Sequence, residues 1–251
     1  MGRLHLDRNR IGDISVVSKL TNLESLSLGD CHVGDISAIK ELTNLITLQL
    51  NINQISDISA LSELTNLRYL VLNQNEIKDI SAFSNLTNLE TLGLSSNRIR
   101  DISVLSGLTD LTELLLNHNE ISDISSLSEL TSLTCLHLGH NRISDISAIS
   151  NLTTLSELWL DENPLSAATY YVYLPLIRCS NPKLTHLTYD PNPNPLTEED
   201  FVILVDFTEF ALSWIGTECG QYNNWCDGAD LDRSRNVDLN DLAEFTECLH
   251  E

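Results

Sequence analysis

Leucine and isoleucine recur along most of the chain at a fixed spacing of 22 residues. The copy at residues 42–63, LTNLITLQLNINQISDISALSE, shows the pattern. Its first half alternates apolar and polar residues, which predicts a short strand with Leu48 and Leu50 facing inward. Thr47 and Gln49 then face outward. Each copy therefore predicts one strand followed by a segment that returns the chain to the start of the next strand.

The return segment has a different apolar period. Ile55, Ile58 and Leu61 recur at every third position. The segment is too short and too rich in Ser and β-branched residues for a long helix. It predicts a 3₁₀ turn or a short irregular segment on the convex side, behind the strands.

Seven such copies follow one another without an insertion. Their period and their Leu-x-x-Leu-x-Leu-x-x-Asn core are typical of a leucine-rich-repeat solenoid. The predicted fold class is an α/β solenoid over residues 1–166, a right-handed coil with a parallel sheet on its concave side. Its stability comes from contacts between neighbouring repeats, because no single repeat can bury its apolar face. The copies begin at Leu20, Leu42, Leu64, Leu86, Leu108, Leu130 and Leu152.

Two polar residues recur with the repeat. An Asn amide can donate to and accept from the backbone of an inward-pointing turn. Each Asp precedes Ile-Ser, where its carboxylate can cap the following turn. A metal-binding row of carboxylates is the alternative, but recurrence in every copy favours the structural role. The two ladders are Asn9, Asn53, Asn75, Asn97, Asn119, Asn141 and Asn163, with Cys31 in one Asn slot, and Asp13, Asp35, Asp57, Asp79, Asp101, Asp123 and Asp145.

The copy at residues 86–107, LTNLETLGLSSNRIRDISVLSG, resembles the 22-residue repeat of the internalin-type leucine-rich-repeat proteins. The resemblance covers about two thirds of the chain. It implies an extracellular or cell-surface binding module that uses its concave face. Cytosolic phosphatase-regulating repeats share this period, and the repeats alone leave both families open.

We call the outward-facing side chains of the strands, with the residues that directly follow each strand, the concave face. Its N-terminal half is small and polar, whereas its C-terminal half gathers aromatic, apolar and charged side chains. An exposed Trp and Leu on a polar sheet resemble the anchors of protein interfaces. Neutral variation on a solvated sheet is the alternative. The predicted partner-binding residues are Tyr69, Val71, Glu113, Leu115, His118, His137, His140, Glu157 and Trp159.

The same face also carries residue types that occur in metal sites and active sites. His118, His137 and His140 with Cys135 could bind zinc, but their spacing gives no closed tetrahedral set. No Ser-His-Asp arrangement, paired carboxylates or phosphate-binding loop stands out, so an enzyme is not predicted.

The repeat breaks after Pro164. Residues 167–190 predict a C-terminal cap, a short helix that lays aromatic side chains over the last repeat and then one more strand through Leu184, Leu187 and Tyr189. Residues 191–197 contain alternating prolines, which predict an extended linker.

Residues 198–251 predict a small all-α domain with a calcium loop. Oxygen-bearing side chains occupy positions one, three, five, seven, nine and twelve of a twelve-residue loop, the spacing that wraps a chain around calcium. The predicted ligands are Asp230, Asp232, Ser234, Asn236 through its carbonyl, Asp238 through water, and Asp241. A solvated acidic loop without metal is the alternative.

The tail also contains an internal duplication, since residues 205–211 (VDFTEFA) align with residues 237–243 (VDLNDLA). This loop-helix pair resembles a type I dockerin, which implies a cohesin-like partner. Two residues depart from that pattern. Arg235 stands where the loop normally has Gly, and Val202 would be a ligand position of the first loop. We therefore expect one calcium ion rather than two.

Cys219 and Cys226 flank a short hairpin-like segment and predict a disulfide in an oxidising compartment. The pairing of Cys179 and Cys248 stays open. Cys31 and Cys135 occupy repeat slots, and we expect both to be unpaired.

The net charge of −22, from 36 acidic and 14 Lys and Arg residues, excludes a nucleic-acid partner, which requires a basic surface. No stretch is long and apolar enough for membrane insertion. Leu4 and Leu6 are already in repeat register, so we expect a fragment with an incomplete first repeat and no signal peptide of its own. The predicted function is a secreted or cell-surface adhesion or scaffold component that binds a protein or a glycan. An intracellular adaptor that binds an enzyme is the alternative.

Overall fold

The computed structural model describes residues 2–190, which form one continuous array of strands and turns. Nine parallel strands make a single sheet in chain order, in which each strand pairs with the next along the chain. This arrangement confirms the parallel sheet predicted from the repeat. The strands are β1 Gly2–His5, β2 Leu23–Ser27, β3 Thr47–Gln49, β4 Tyr69–Val71, β5 Thr91–Gly93, β6 Glu113–Leu115, β7 Cys135–His137, β8 Glu157–Trp159 and β9 His186–Thr188.

Strand register follows the repeat from β2 to β8. Leu48 of β3, for example, lies opposite Leu70 of β4, one repeat further along the chain. The side chains of Leu48 and Leu50 are fully buried, and Gln49 between them is exposed. Residues 22 apart are therefore cross-strand neighbours on the same face of the sheet.

Short 3₁₀ helices fill the convex side, as predicted. Each places one apolar side chain in the core, such as Phe83 or Leu105. In every case the Asp two residues before the helix accepts a hydrogen bond of 2.8 Å from the first Ser N–H, as Asp101 does from Ser103. These helices are Ser15–Lys19, Ser37–Ile39, Ser59–Leu61, Ser81–Asn85, Ser103–Gly107, Ser125–Leu127 and Ser147–Ile149.

The Asn ladder joins successive coils through the interior. The amide of Asn97 donates to the carbonyls of Leu72 and Leu94, both at 3.0 Å, and accepts from the N–H of Ile77 at 3.0 Å. Two of these partners belong to the preceding coil, so the side chain fixes one coil against the next. In the slot without Asn, the thiol of Cys31 donates to the carbonyl of Leu6 at 3.1 Å.

At the third position after each strand from β1 to β8 the backbone adopts the left-handed region, and Gly12 and His32 add a second such residue in the first two coils. At the shared position the residues recur every 22. These residues, none of them Gly, have φ between 54 and 58° from Arg8 to Glu162. Ile52 is the β-branched member, for which this region is sterically costly. The turn therefore has the same geometry in each coil whatever side chain it carries.

The last coil ends in a helical turn and a ninth strand. Thr169–Tyr173 is a π-helical turn that leads into α1, Leu174–Ser180, and β9 pairs with β8. Tyr170 and Tyr173 pack against the core. The buried side chain of Asn181 donates to the carbonyl of Leu152 and accepts from the N–H of Leu155, both at 2.7 Å.

Several predictions lie outside the described residues. They are the linker, the all-α tail with its calcium ligands, and the Cys219–Cys226 disulfide. Within residues 2–190 no helix is long and apolar enough to cross a membrane. The boundaries proposed for the cap and for the tail remain predictions.

Candidate functional site

Two parallel rows of side chains cover the C-terminal half of the concave face. One row runs through Leu115, His137 and Trp159, each opposite the next on neighbouring strands. The other runs through Glu113, Cys135 and Glu157 in the same register. The β-structure thus brings five of the nine predicted partner-binding residues together, with Cys135 at their centre.

The two aromatic rings of the first row are stacked. The centroids of His137 and Trp159 are 4.1 Å apart and their planes differ by 8°. Both rings and the side chain of Leu115 are half-buried rather than fully exposed. Together they form a contiguous, partly apolar surface across three neighbouring strands of the sheet.

Three metal-ligating groups converge where the two rows meet, from Cys135 and Glu157 of the second row and His137 of the first. The Sγ of Cys135 lies 3.2 Å from the Nε2 of His137 and 3.7 Å from a carboxylate oxygen of Glu157. The same Nε2 of His137 lies 3.1 Å from the other oxygen of Glu157. The sequence pattern groups Cys135 with three His residues, whereas the three groups that meet are a thiol, an imidazole and a carboxylate.

This cluster is poorly arranged for nucleophilic catalysis. Burial, together with the nearby carboxylates of Glu157 and Glu113, raises the pKa of the Cys135 thiol to about 12. A nucleophilic Cys needs the opposite, a lowered pKa beside a cation. In addition, Glu157 and the thiol contact the same nitrogen of His137, so the carboxylate does not orient the ring from its far side as in a catalytic triad.

His118 and His140 form a separate pair at the strand ends. Their rings stack with centroids 4.0 Å apart, and both residues occupy the left-handed turn position. His140 Nε2 also lies 3.5 Å from a carboxylate oxygen of Asp161. The other oxygen of Asp161 accepts from the hydroxyl of Thr188 at 2.9 Å.

Tyr69 and Val71 lie apart from these groups. They belong to β4, and β5 with the small residue Gly93 separates them from β6. Tyr69 is 42% exposed. A hydrogen bond to Glu90 raises the pKa of its phenol, and Glu90 also pairs with Arg68. Tyr69 and Val71 therefore lie outside the two rows of side chains on β6 to β8.

Two residues of the site were absent from the predicted partner-binding set. The sequence pattern indicates Cys135 only as a zinc ligand with three His residues and does not indicate Asp161. The repeat spacing indicates both residues. Glu157 follows Cys135 by one repeat, and Asp161 occupies the repeat position that holds Asn51, Asn73 and Asn117 in other repeats. Residues 22 apart face each other across the sheet.

Sequence comparison identifies the repeats. The family model described as Leucine Rich repeats (2 copies) matches residues 43–85, 87–129 and 131–169, and a single Leucine Rich repeat matches residues 19–40. No curated protein matches the chain by sequence. The matched residues cover the predicted solenoid except for its first turn.

Comparison with solved structures identifies a more specific family within the leucine-rich-repeat proteins. An internalin (InlF) of Listeria monocytogenes is 38% identical over 77% of this chain, with a TM-score of 0.72, and this chain spans 56% of it. Internalin C2 of the same organism is 38% identical over 64% of this chain and 71% of its own length, with a TM-score of 0.63. A leucine-rich-repeat protein of Leptospira interrogans, 23% identical over 76% of this chain and 55% of its own, shares the fold with a TM-score of 0.64. The chain belongs to the internalin-type leucine-rich-repeat proteins.

Proposed function

We propose that the chain is a non-catalytic protein-binding module that engages its partner with the C-terminal half of the concave face. The observation that carries this proposal is the continuous row of Leu115, His137 and Trp159, bordered by Glu113 and Glu157. Large aromatic and apolar side chains with a polar rim are the groups that dominate binding energy at protein interfaces.

The proposed setting is secreted or at the cell surface, in an adhesion or scaffold role. Its support is the 38% identity with two internalins of Listeria monocytogenes. The same identity favours this role over an intracellular adaptor that binds an enzyme, since the shared 22-residue period alone does not separate the two.

Site-specific photo-crosslinking tests the binding face. A photoreactive side chain replaces Leu115 on the concave face or, as the matched control, the exposed Ser125 behind the sheet. The probes are extracellular proteins of the source organism and of the cells it contacts. We expect one protein to be captured from position 115 and not from position 125.

The captured protein, once purified, provides the quantitative test. Trp159→Ala and Leu115→Ala should each weaken its binding by at least about tenfold, as expected for interface anchors. Ser125→Ala should leave the affinity unchanged. Equal capture at both positions, or unchanged affinity in both concave variants, would overturn the proposal.

We propose in addition that the tail binds one calcium ion and that the loaded tail docks onto a cohesin-like module. The support is the ligand spacing from Asp230 to Asp241. Calorimetry of the full chain with calcium should show one equivalent of binding that Asp230→Asn with Asp241→Asn removes. Absence of calcium binding to the unaltered chain contradicts this part of the proposal. It does not bear on the proposed binding role of the concave face.

A further inference from the structure

We propose that Cys135, His137 and Glu157 form a binding site for a divalent transition metal ion, with zinc as the best-fitting metal. Among residues 2–190 this is the one group of three or more His, Cys, Asp and Glu side chains whose ligand atoms all lie within 4.8 Å of one another. The inference concerns the concave face and does not depend on a protein partner.

The distances between the ligand atoms match those around zinc. Zinc lies about 2.3 Å from sulfur and about 2.0–2.2 Å from nitrogen and oxygen, so tetrahedral ligand atoms are roughly 3.3–3.6 Å from each other. In this cluster Sγ of Cys135 and Nε2 of His137 are 3.2 Å apart, and Glu157 has one oxygen 3.1 Å from Nε2 and the other 3.7 Å from Sγ. One ligand atom from each residue lies within 4.8 Å of the other two. Each of the short separations is within a few tenths of an ångström of a tetrahedral edge, so a rotation of the carboxylate that turns one oxygen toward both partners suffices to admit an ion.

The backbone holds these residues in place before any ion binds. Cys135 and His137 are two residues apart on β7 and so share one face of the sheet. Glu157 lies directly opposite Cys135 on β8. Two paired strands with buried leucines on their other face form a rigid base, as a preorganised site requires.

The surroundings favour a cation. Glu113 lies opposite Cys135 on β6 and adds a second carboxylate beside the site. Trp159 stacks on the ring of His137, which restricts the orientation of the imidazole as a supporting residue does around a metal. Three protein ligands leave the fourth position of zinc for water.

The ligand types select the metal class. A thiolate with an imidazole suits zinc and similar ions, whereas calcium and magnesium take oxygen ligands. The proposed calcium loop of the tail and this site therefore bind different metals. Excess calcium occupies oxygen-only sites without displacing the ion from Cys135, which allows the two sites to be tested separately on the full chain.

Cobalt titration of the reduced full chain, with calcium in excess, tests the site. Tetrahedral cobalt gives intense visible absorption, and a bound thiolate adds a charge-transfer band in the near ultraviolet. We expect one equivalent of cobalt with both signals, displaced by zinc. Cys135→Ser should remove the thiolate band, and His137→Ala and Glu157→Gln should each weaken cobalt binding by at least about tenfold, since altering a metal site's supporting groups alone costs that much.

Two matched variants control for other ligands in the chain. Cys179→Ser removes a different exposed thiol, and His118→Ala removes an imidazole at the end of a neighbouring strand. Both should keep the full signal. A thiolate band that persists in Cys135→Ser, or an unaltered chain that shows no such band, overturns the proposal. Neither result bears on partner binding, because the readout is spectroscopic and uses the metal alone.

Discussion

The imidazole of His137 lies flat against the indole of Trp159, with centroids 4.1 Å apart and planes 8° from parallel. The two residues are cross-strand partners one repeat apart. Stacked cross-strand pairs stabilise a sheet beyond the burial of their area, by about 0.5–1.5 kcal/mol. This contact should therefore contribute to folding as well as to the proposed binding surface.

A double-mutant cycle measures that contribution. Trp159→Ala, His137→Ala and the double variant are compared by urea denaturation. We expect the two substitutions to be coupled by about 0.5–1.5 kcal/mol in the free energy of unfolding. Trp159→Phe retains a ring and should keep most of the coupling. Purely additive effects would show that the stack contributes no stability of its own.

The buried Asn ladder should be more sensitive than its exposed first member. Asn97→Ala would leave the N–H of Ile77 without its acceptor in the interior. The carbonyls of Leu72 and Leu94 would each lose one of two donors, since Asn75 and Asn119 also donate to them. One stranded buried group costs about 1–3 kcal/mol, so we expect a loss of that size in the free energy of unfolding.

Asn9→Ala is the matched control for this loss. The side chain of Asn9 is exposed and donates to the carbonyls of Leu6 and Asp7, at 2.8 and 3.1 Å. Water can replace it there, so the expected loss is less than about 1 kcal/mol. Equal losses in chemical denaturation would mean that burial does not determine the strength of the ladder.

The sequence pattern is sufficient to predict the solenoid fold, because the residues that form each coil recur in every repeat. Leu48 and Leu50 fix which face of a strand is buried, and Asp57 fixes where the following 3₁₀ helix begins. Asn181 was not anticipated, since it lies beyond the periodic region and satisfies the last coil from the cap. Its role depends on where α1 ends, which no repeat specifies.

The candidate site was only partly predictable. The 22-residue period places Glu157 beside Cys135 and Trp159 beside His137, so the sequence alone predicts which of these side chains are neighbours. The convergence of the Cys135 thiol and Glu157 on one nitrogen of His137 was not, because it depends on side-chain rotamers. The pattern likewise does not specify the burial that, with the carboxylates of Glu157 and Glu113, raises the pKa of the Cys135 thiol to about 12.

Replacing the residue at the left-handed turn position of the third coil should make the folded protein more stable. Ile52 has a φ of 58°, and its side chain is 44% exposed. A left-handed conformation costs an ordinary residue about 1–2 kcal/mol and is tolerated best by Gly and Asn. Ile52→Asn should therefore raise the free energy of unfolding by about 1 kcal/mol.

Ile52→Leu separates backbone strain from the loss of apolar contact. Leu is apolar but lacks the β-branch, so we expect a smaller gain than with Asn. Thermal and urea denaturation of both variants measure the difference. A less stable Asn variant would mean that the exposed side chain of Ile52 contributes more through its contacts than the strained backbone costs.

The Asp ladder should make the coil sensitive to acid. The Ser N–H groups that follow Asp57 and Asp101 hold the pKa of both carboxyls below the ordinary value of 3.8. A carboxyl whose pKa is lower in the folded state stabilises that state fully above its unfolded pKa, and this stabilisation is lost as the pH falls through the folded pKa. The window is therefore below about pH 4.

The double variant Asp57→Asn with Asp101→Asn tests this dependence. An amide oxygen can still accept from Ser59 and Ser103, but it carries no charge and does not titrate. At about pH 7 the variant should be less stable than the unaltered chain in urea, and the difference should shrink towards about pH 2.5. Glu129→Gln, which removes the charge of an exposed acid away from the ladder, is the control. A difference that stays constant over this range would mean that the Asp carboxylates stabilise the turns by geometry alone.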